Sequence, residues 1–290
     1  MWQAIAQQIS QSTDSPFSIV ERRLIQGSHD DGCYVVTDTA SYFFVKVCVR
    51  EQVDRYIAES DGLNALRQTE TVNTPDVITV GTVKEHTFIV LEFFHCQPLE
   101  QAKASYLFGQ QLAMLHSWGE QKEFGFDHDN HIGITVQPNA WQKKWSSFFA
   151  EQRIGWQLQI LREKGIELVD IDDFVKFIEA QLSSHHPRPS LLHGDLWHGN
   201  VAQCEGRPVC YDPACYWGDA ECDLAMTELF GGFEPEFYQG YESVSPIKLG
   251  YEIRKHIYNL YHILNHCNCF GGHYLDDAQA LLERIGYSSR

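Results

Sequence analysis

This 290-residue sequence lacks long hydrophobic runs and has few basic residues for its number of acids. No stretch of about 18 apolar residues occurs, so we expect no transmembrane helix. Lys and Arg number 22 against 39 Asp and Glu, which gives a net charge of -17. Because phosphate backbones and anionic lipids attract basic residues, this balance argues against a nucleic-acid or membrane-surface partner. It is compatible with a cationic substrate.

Paired cysteines are also missing. The nine Cys residues are an odd number, they show no CxxC spacing, and Cys267 and Cys269 are too close together for a usual zinc knuckle. We therefore expect reduced thiols in a protein core. No basic segment followed by an apolar stretch opens the sequence, so we expect no signal peptide and a cytoplasmic location. The length and the 43% hydrophobic content suit two lobes around one cleft.

The candidate chemistry is concentrated in one octapeptide, His-Gly-Asp-Leu-Trp-His-Gly-Asn, at residues 193–200. Four residues separate Asp195 from Asn200, and Asp212 follows Asn200 by twelve positions. Protein kinases use this order for a base and a metal ligand on one loop and a second metal ligand beyond it. The sequence therefore predicts phosphoryl transfer from Mg-ATP. Asp195 would accept the proton of a substrate hydroxyl, and Asn200 and Asp212 would bind Mg²⁺.

A lone His-Gly-Asp can also be a simple turn. Here Leu191 and Leu192 lead into the loop, and residues 209–211 are typical of a buried strand before the second acid, with room for a short strand and turn between them. This context favours the catalytic interpretation. We expect His193 to tie the loop down by hydrogen bonds. We expect Asp223 to cap a helix or to hold the loop backbone.

The N-terminal part contains the apolar and alternating stretches that are typical of strands. We predict strands at residues 17–25, 33–37, 42–49, 76–83 and 86–94, and helices at 1–15 and 51–69. The loop after the first strand contains Gly27 and Ser28, which lie where a kinase covers the ATP phosphates. After the last strand, the backbone of Glu92, Phe93 and Phe94 is the candidate site for adenine.

Lys46 lies in the middle of an apolar strand. A lysine is costly to bury there unless it is paired, and Glu59 on the following helix is an available partner. In kinases a strand lysine contacts the ATP phosphates and a helix glutamate orients it. The strand by itself leaves another interpretation open, in which Lys46 lies on an edge strand and reaches solvent.

The rest of the chain is predicted to be mainly helical. Apolar residues at helical spacing predict helices at 101–118, 139–162, 170–183, 223–230, 246–269 and 275–285. We divide the chain into a nucleotide-binding lobe, residues 1–95, and a catalytic and substrate lobe, residues 96–290. The predicted fold class is α+β. It is a two-lobed protein-kinase-like fold, with an antiparallel sheet and one main helix in the N-lobe and a mostly helical C-lobe.

Several longer segments resemble the fructosamine kinase (ketosamine kinase) family, within the aminoglycoside phosphotransferase-like group of the kinase superfamily. They are residues 124–133, the set Trp141, Trp145, Phe148, Phe149 and Arg153, and residues 212–226 and 229–233. The resemblance runs from about residue 18 to 287. Two positions depart from the family pattern. The phosphate loop reads Gly27-Ser28-His29 instead of beginning with paired glycines, and Cys48 stands where the family suggests Asn.

The resemblance implies an ATP-dependent kinase that phosphorylates a sugar hydroxyl of a ketosamine, a sugar joined to an amine. Phosphorylation at the sugar's third carbon would destabilise the adduct and free the amine, which is a repair role. On this interpretation Trp217 would stack on the sugar, and Asp219 or Glu221 would face a cationic amine. The alternative is that Trp217 belongs to the core and that the two acids are solvated residues at a helix start.

Two other functions stay open from the sequence. One is a kinase for a different small hydroxylated amine, such as an aminoglycoside, choline or homoserine. The other is a pseudokinase that binds nucleotide without turnover, although all five kinase residues named above are present. Cys33 closely follows the phosphate loop, so its oxidation is expected to affect nucleotide binding. Oligomeric state, the sugar of the acceptor and whether that acceptor is free or protein-bound cannot be predicted from the sequence.

Overall fold

The N-terminal lobe is built on a five-stranded antiparallel sheet with the order β1-β2-β3-β5-β4. Its strands are β1 Glu21–Gly27, β2 Gly32–Thr37, β3 Tyr42–Val49, β4 Val77–Val83 and β5 His86–Glu92. Helices α1 Trp2–Ser12 and α2 Val53–Gln68 pack on it. The computed structural model describes residues 1–28 and 31–287, so His29 of the phosphate loop lies outside the described residues.

The two helices cover opposite faces of this sheet. Ile5 of α1 packs in one buried cluster with Val45 and Val90, whereas Leu63 of α2 packs in another with Ile89. Successive side chains of a strand point to opposite faces of the sheet. Because both faces are covered, β3 and β5 need apolar residues at odd and even positions alike. This double coverage explains why the two central strands are continuous apolar runs.

The first strand begins later than the sequence predicts. The expected strand at 17–25 is found as Glu21–Gly27, and its residues are exposed at the edge of the sheet. Phe17 instead packs in the α1 cluster, and its backbone N–H donates to the Ser10 hydroxyl at 2.9 Å. This contact with α1 holds Phe17 outside the strand, and hydrophobicity alone does not reveal it.

The C-terminal lobe is mostly helical. Its helices are α3 Ala102–Ser117, α4 Trp145–Phe149, α5 Trp156–Glu163, α6 Ile171–Leu182, α7 Glu221–Leu229, α8 Pro235–Glu242, α9 Tyr251–Phe270 and α10 Tyr274–Arg284. Its short strands are β6 Gln97–Pro98, β7 Asn130–Ile132, β8 Thr135–Gln137, β9 Ser190–Leu192, β10 Val201–Cys204, β11 Arg207–Cys210 and β12 Tyr216–Gly218. This architecture, a sheet-based N-lobe and a helical C-lobe, confirms the predicted fold class.

The predicted helix at 139–162 is shorter and is not one regular helix. It begins at Trp145 as α4, passes through a π-helical turn at Ala150–Gly155 and continues as α5. Asn139 lies before it, with its amide oxygen accepting a hydrogen bond from Arg153 at 2.7 Å. Arg153 is fully buried, with its guanidinium carbon 4.0 Å from the ring centre of Tyr216. These tertiary contacts decide where the helix begins.

Two further differences concern short segments. Helix α9 begins at Tyr251 instead of 246, because Gly250 precedes it in the left-handed conformation at φ +87°. Helix α8 and the hairpin of β7 and β8 were not predicted, since segments of three to eight residues have too little periodicity to be recognised. Within residues 1–28 and 31–287, no helix combines the length and apolar character needed to cross a membrane.

Candidate active site

The predicted catalytic loop, residues 193–200, directly follows strand β9, which pairs with β12. Gly194 adopts φ +82°, and a Cβ there would lie 2.0 Å from the carbonyl oxygen of Ala214. Only glycine permits this close approach. The approach brings the loop with Asp195 against the segment that contains Asp212.

The Asp223 carboxylate binds the backbone of this loop. Its two carboxylate oxygens accept hydrogen bonds from the backbone N–H groups of His193 and Gly194, both at 2.8 Å. Its Oδ2 also lies 3.1 Å from His116 Nε2. Burial raises the pKa of Asp223, but the hydrogen bond and charge of His116, together with the backbone hydrogen bond from Gly194, outweigh burial and hold that pKa below its ordinary value. The carboxylate therefore anchors the loop backbone. It does not cap a helix, because α7 begins two residues earlier at Glu221.

His193 fixes the loop from within. Its Nε2 donates to the carbonyl oxygen of Tyr211 at 3.0 Å, and its Nδ1 accepts from the backbone N–H of Asp195 at 3.3 Å. Burial lowers the pKa of this imidazole, which favours the neutral form that can donate at one nitrogen and accept at the other. The ring thus joins the loop to the strand that leads into Asp212.

Asp195 and Asn200 contact each other across the loop. The Asn200 side-chain amide donates to the Asp195 carboxylate at 3.0 Å and to the Asp195 carbonyl oxygen at 2.9 Å. Burial first, and then the negative charge of Asp212, raise the pKa of Asp195 to about 7. A nearby cation would favour the ionised form, because it offsets both effects.

Asp212 completes the acidic group. It has φ +57°, a conformation that is uncommon for a residue other than glycine and that is concentrated at functional sites. The backbone N–H of its neighbour Tyr211 donates to the Asn200 carbonyl oxygen at 3.0 Å, which ties the two metal-ligand candidates together. Carboxylate and amide oxygens are the ligands that Mg²⁺ prefers, so this donor set fits the metal that the sequence predicts.

Lys46 lies in a central strand of the sheet and not at its edge, which excludes the interpretation of a solvent-exposed edge lysine. Its Nζ is 2.6 Å from Glu59 Oε1 and 2.5 Å from Asp212 Oδ1. Burial lowers the pKa of Lys46, but the two carboxylates outweigh burial and raise that pKa above its ordinary value. The lysine therefore stays charged, and it links the N-lobe to the acidic group of the C-lobe.

The phosphate-loop residues lie at the hairpin between β1 and β2. Gly27 adopts φ +86°, where a Cβ would be 2.3 Å from the Asp31 carbonyl oxygen, and the Ser28 N–H donates to that same oxygen at 2.8 Å. Cys33 follows in β2, in register with Lys46 and half-buried. Burial raises the pKa of its thiol, which reduces its thiolate fraction. A role for Cys33 in oxidation stays a prediction.

The three adenine candidates follow the end of β5. The backbone N–H of Glu92 donates to the Asp76 carbonyl oxygen at 2.8 Å, which closes the end of the sheet. The Phe93 ring packs edge-on against His95, with 4.9 Å between ring centres. The Phe94 carbonyl oxygen accepts from the Cys96 N–H at 3.0 Å. The predicted strand at 86–94 thus ends at Glu92, where the chain begins to turn towards the C-lobe.

The predicted acceptor residues lie elsewhere. Trp217 stacks on Trp118 with 6.0 Å between ring centres. Asp219 is buried and accepts from His185 Nε2 and the Tyr258 hydroxyl, both at 2.6 Å. Of the described residues that line the cavity at Asp195, none is Trp217, Asp219 or Glu221.

Glu221 is also buried and already paired. It receives two hydrogen bonds from Arg254, at 2.6 and 2.7 Å. Trp217 therefore agrees with the alternative in which it packs within the protein. The two acids agree with neither alternative, because they are buried and neutralised instead of being solvated or facing a ligand.

Other residues do line the catalytic cavity, which has a volume of about 170 Å³. Besides Lys46, Glu59, Asp195, Asn200 and Asp212, its lining includes Arg55, Ala58, Asn130, His131, Gly133, Trp197 and Pro213. Trp197 lies within the octapeptide, so its position beside Asp195 was a signal that could have identified it. His131 lies within the segment 124–133 that resembles the family, but nothing in the sequence singled out either His131 or Arg55, because they come from distant parts of the chain.

An aromatic row extends from the catalytic loop. The Trp197 ring meets Phe230 edge-on at 6.2 Å, and Phe230 stacks on His266 with 4.8 Å between ring centres and 13° between planes. His266 in turn contacts Tyr274 at 4.8 Å. The side of the loop beyond Asp195 is thus bordered by rings from α9 and α10.

Comparison with known proteins identifies the family. Residues 1–287 match the family model described as fructosamine kinase. A protein of Vibrio vulnificus strain CMCP6, described as a probable ketoamine kinase, is 55% identical over 285 residues, covering 98% of this chain and 99% of the relative. The Escherichia coli K12 protein YniA, described in the same words, is 44% identical, with coverage of 98% and 99%.

Solved structures support the family and the fold. A protein of Haemophilus somnus 129PT, provisionally described as a fructosamine-3-kinase, superposes with a TM-score of 0.94 at 35% identity, covering 99% of this chain and 98% of that chain. The aminoglycoside phosphotransferase APH(4)-Ia, in a ternary complex with ADP and hygromycin B, gives a TM-score of 0.62 at 11% identity, covering 98% and 100%. The second likeness shows the fold alone. The chain belongs to the fructosamine kinase family and is a phosphotransferase that acts on a hydroxyl group.

Proposed function

We propose that this protein uses Mg-ATP to phosphorylate a sugar hydroxyl of a ketosamine. The observation that carries the proposal is the convergence of Lys46, Asp195, Asn200 and Asp212 on one cavity in a fructosamine kinase chain. These four side chains come from both lobes and supply the groups that phosphoryl transfer needs. Packing does not explain this cluster, because charged side chains are costly to place in a protein core.

Asp195 would act as the base. It lines the cavity, and its backbone is held by His193 and Asn200, so the carboxylate can orient an incoming hydroxyl and accept its proton. Burial and the charge of Asp212 raise its pKa to about 7, and Mg²⁺ held by Asn200 and Asp212 would lower that pKa, so that the carboxylate is ionised and can accept the proton. The nearby anchor Asp223 would remain ionised and serve only to position the loop.

The nucleotide side of the site is assigned to Lys46 and the acidic pair. Lys46 would bind the non-transferred phosphates, with Glu59 keeping its ammonium in place. Asn200 and Asp212 would hold Mg²⁺, which when bound neutralises charge on the phosphates. Gly27 and Ser28 would approach the phosphates, and the backbone of Glu92 to Phe94 would bind adenine. Neighbours of the same fold are recorded with ADP and with AMP-PNP, which supports the use of ATP.

The acceptor would lie on the other side of Asp195. Trp197 lines the cavity and presents an aromatic ring next to the base. An aromatic ring can pack against the apolar face of a sugar, so we assign to Trp197 the stacking role first predicted for Trp217. Transfer to the third carbon of the sugar would destabilise the adduct and release the amine, which would give the enzyme a role in deglycation.

The decisive experiment measures acceptor-dependent ADP release with Mg-ATP and a ribulosyl- or fructosyl-lysine acceptor. Wild type is compared with Asp195→Asn and with Asp172→Asn, an exposed acid far from the cavity. Turnover that disappears only in Asp195→Asn is the expected result. Intact Mg-ATP binding without turnover of either acceptor would refute the proposed substrate class. Failure to bind nucleotide would refute the roles given to Lys46 and Asp212.

A further inference from the structure

Two cysteines lie opposite each other where the chain passes from the N-lobe to the C-lobe. Strand β6 follows the end of β5 and pairs with β10 in antiparallel register, with Gln97 opposite Gln203. Continuing this register by one pair brings Cys96 opposite Cys204, the last residue of β10. The two cysteines therefore meet across neighbouring strands, although they are more than one hundred positions apart in the sequence.

The register also puts the two side chains on the same face of this small sheet. Directly opposite residues of an antiparallel pair point the same way, with Cβ atoms about 4.5–5.5 Å apart. Disulfides join Cβ atoms about 3.5–4.5 Å apart, so only a small approach is needed. Cys96 is exposed and Cys204 is half-buried, and both thiols are free. A small oxidant can therefore reach the pair.

Electrostatics agrees with this placement. Partial burial, and next the negative charge of Cys204, raise the pKa of the Cys96 thiol to about 11. Burial first, then the charge of Asp212 and then that of Cys96, raise the pKa of Tyr211 to about 12. Cys96 is thus near both its partner across the strands and the segment that contains Asp212.

Each cysteine belongs to a segment that the proposed reaction uses. Cys96 lies in the connection between the lobes, just after residues 92–94, whose backbone is assigned to adenine. Cys204 ends the strand that begins directly after Asn200. Opening and closing of domains around a ligand control its entry and release in many enzymes. A covalent bond between the two cysteines would limit the movement of the connection relative to the catalytic loop.

We propose that Cys96 and Cys204 are a redox-sensitive pair whose reversible disulfide ties the connection between the lobes to β10 and slows the exchange of nucleotide. Disulfides that form in reducing compartments are usually transient and often sense oxidants. The pair is separate from Cys33, which lies in β2. The control of exchange rests on the nucleotide site proposed above, whereas formation of the bond does not.

The oxidant is a low-molecular-weight disulfide. One cysteine thiolate attacks it, which forms a mixed disulfide with the protein and releases one small thiol. The thiolate of the other cysteine then attacks the protein sulfur of the mixed disulfide, so that the Cys96–Cys204 bond forms and the second small thiol leaves. Two protein thiols are oxidised, and the oxidant is reduced to two thiols that take up the two protons.

The test first asks whether the bond forms. Reduced protein is incubated with oxidised glutathione at mildly alkaline pH, where more thiolate is present, and the remaining thiols are then blocked. Peptide mapping should show one bond, between the peptides of Cys96 and Cys204. The melting temperature should rise by about 5–10 °C, because the bond closes a loop of more than one hundred residues. Dithiothreitol should reverse both changes.

The second measurement is the dissociation rate of a fluorescent ADP analogue. Oxidation should lower this rate by at least about threefold, since the connection can open less, and dithiothreitol should restore it. Neither Cys96→Ser nor Cys204→Ser should respond to the oxidant, because each lacks one partner. Cys269→Ser removes a half-buried thiol of α9 and is the matched control. It should respond as wild type does, and so should Cys33→Ser.

The other outcomes also decide the question. A stable glutathione adduct at Cys96, or a bond between two chains on a non-reducing gel, would overturn the inference. An unchanged dissociation rate in the cross-linked protein would overturn the control of exchange, and a response that persists in both serine variants would assign it to another cysteine. Melts of the reduced variants detect misfolding. Failure of reduced wild type to bind the analogue would instead refute the proposed nucleotide site, whatever the peptide map shows.

Discussion

Two acidic clusters follow neighbouring strands of the C-lobe, and they differ in how their charges are satisfied. At the catalytic cavity, Asp195 and Asp212 lie near each other with Lys46 as the closest cation. Whereas Asp195 and Asp212 are only partly buried, Asp219 and Glu221 of the second cluster are buried. Each of those acids, however, has its own donors. The acids of the first cluster can therefore still bind a ligand, whereas the acids of the second cluster are already paired with donors within the protein.

The second cluster shows why composition alone does not identify a site. His185, Asp219 and Glu221 have candidate metal-ligating atoms within 4.8 Å of one another. The same oxygens already accept from Tyr258 and from Arg254 in a two-point contact. A metal ion would have to displace these donors. Incomplete pairing, and not proximity of acids, thus distinguishes the candidate catalytic cluster from the structural one.

The largest expected effect comes from the base. Asp195→Asn should lower kcat by at least about 10³-fold, because it removes the proton acceptor. The folded protein should be at least as stable as wild type, since the change removes a carboxylate whose pKa is raised to about 7 by desolvation and by Asp212. ADP release and thermal unfolding measure the two quantities. Retained turnover would show that Asp195 is not the base.

Lys46→Met should damage both binding and folding. The change leaves the buried Glu59 and its neighbour Asp212 without their cation, which costs about 3–5 kcal/mol of unfolding free energy when a buried pair is broken. The KM for ATP should rise as well. Denaturant titration and steady-state kinetics check the two effects, and the double variant Lys46→Met with Glu59→Gln should recover part of the stability. An unchanged KM for ATP would contradict the nucleotide role of Lys46.

Arg254→Met tests the second cluster. It leaves the buried Glu221 unpaired and should destabilise the fold by about 3 kcal/mol. The kcat of the folded fraction should stay the same, because this cluster is not part of the cavity lining. Arg254→Lys keeps the charge without the two-point contact and is expected to lose less. A loss of kcat without any loss of stability would show that the second cluster contributes to catalysis and is not only structural.

The smallest effect concerns a buried histidine of α9. Burial lowers the pKa of His262 to about 3. Its ordinary value in the unfolded chain is about 6.5. Between these values the unfolded state binds the extra proton, so stability falls as pH decreases below about 6.5. At pH 5 the loss attributable to His262 is about 2 kcal/mol or less.

The His262→Gln variant cannot take up this proton. It should therefore lose less stability than wild type between pH 7.5 and pH 5, whatever its stability at the upper pH. Urea titrations of both proteins at the two pH values give the comparison. Equal losses would show that His262 is not the neutral buried group that its environment indicates.

Much of the catalytic cluster could be predicted because its spacing is local. Asp195 and Asn200 belong to one loop, where four intervening residues place both side chains on the same turn. Lys46 and Glu59 could be paired because a lysine within an apolar strand needs a partner and the helix that follows contains Glu59. The strand and helix boundaries were less accurate, as at Phe17 and Asn139, since contacts with α1 and with Arg153 decide them.

The sequence by itself determined the kind of chemistry, because that chemistry depends on residue types at short, fixed separations along the chain. Only the tertiary structure decided which acids are available to a ligand. Asp219 and Glu221 find Tyr258 and Arg254 in α9, more than thirty positions later. Conversely, α2 and β7 bring Arg55 and His131 to one cavity from opposite lobes. Such pairing depends on contacts between distant segments, which form only when the hydrophobic cores of the two lobes pack.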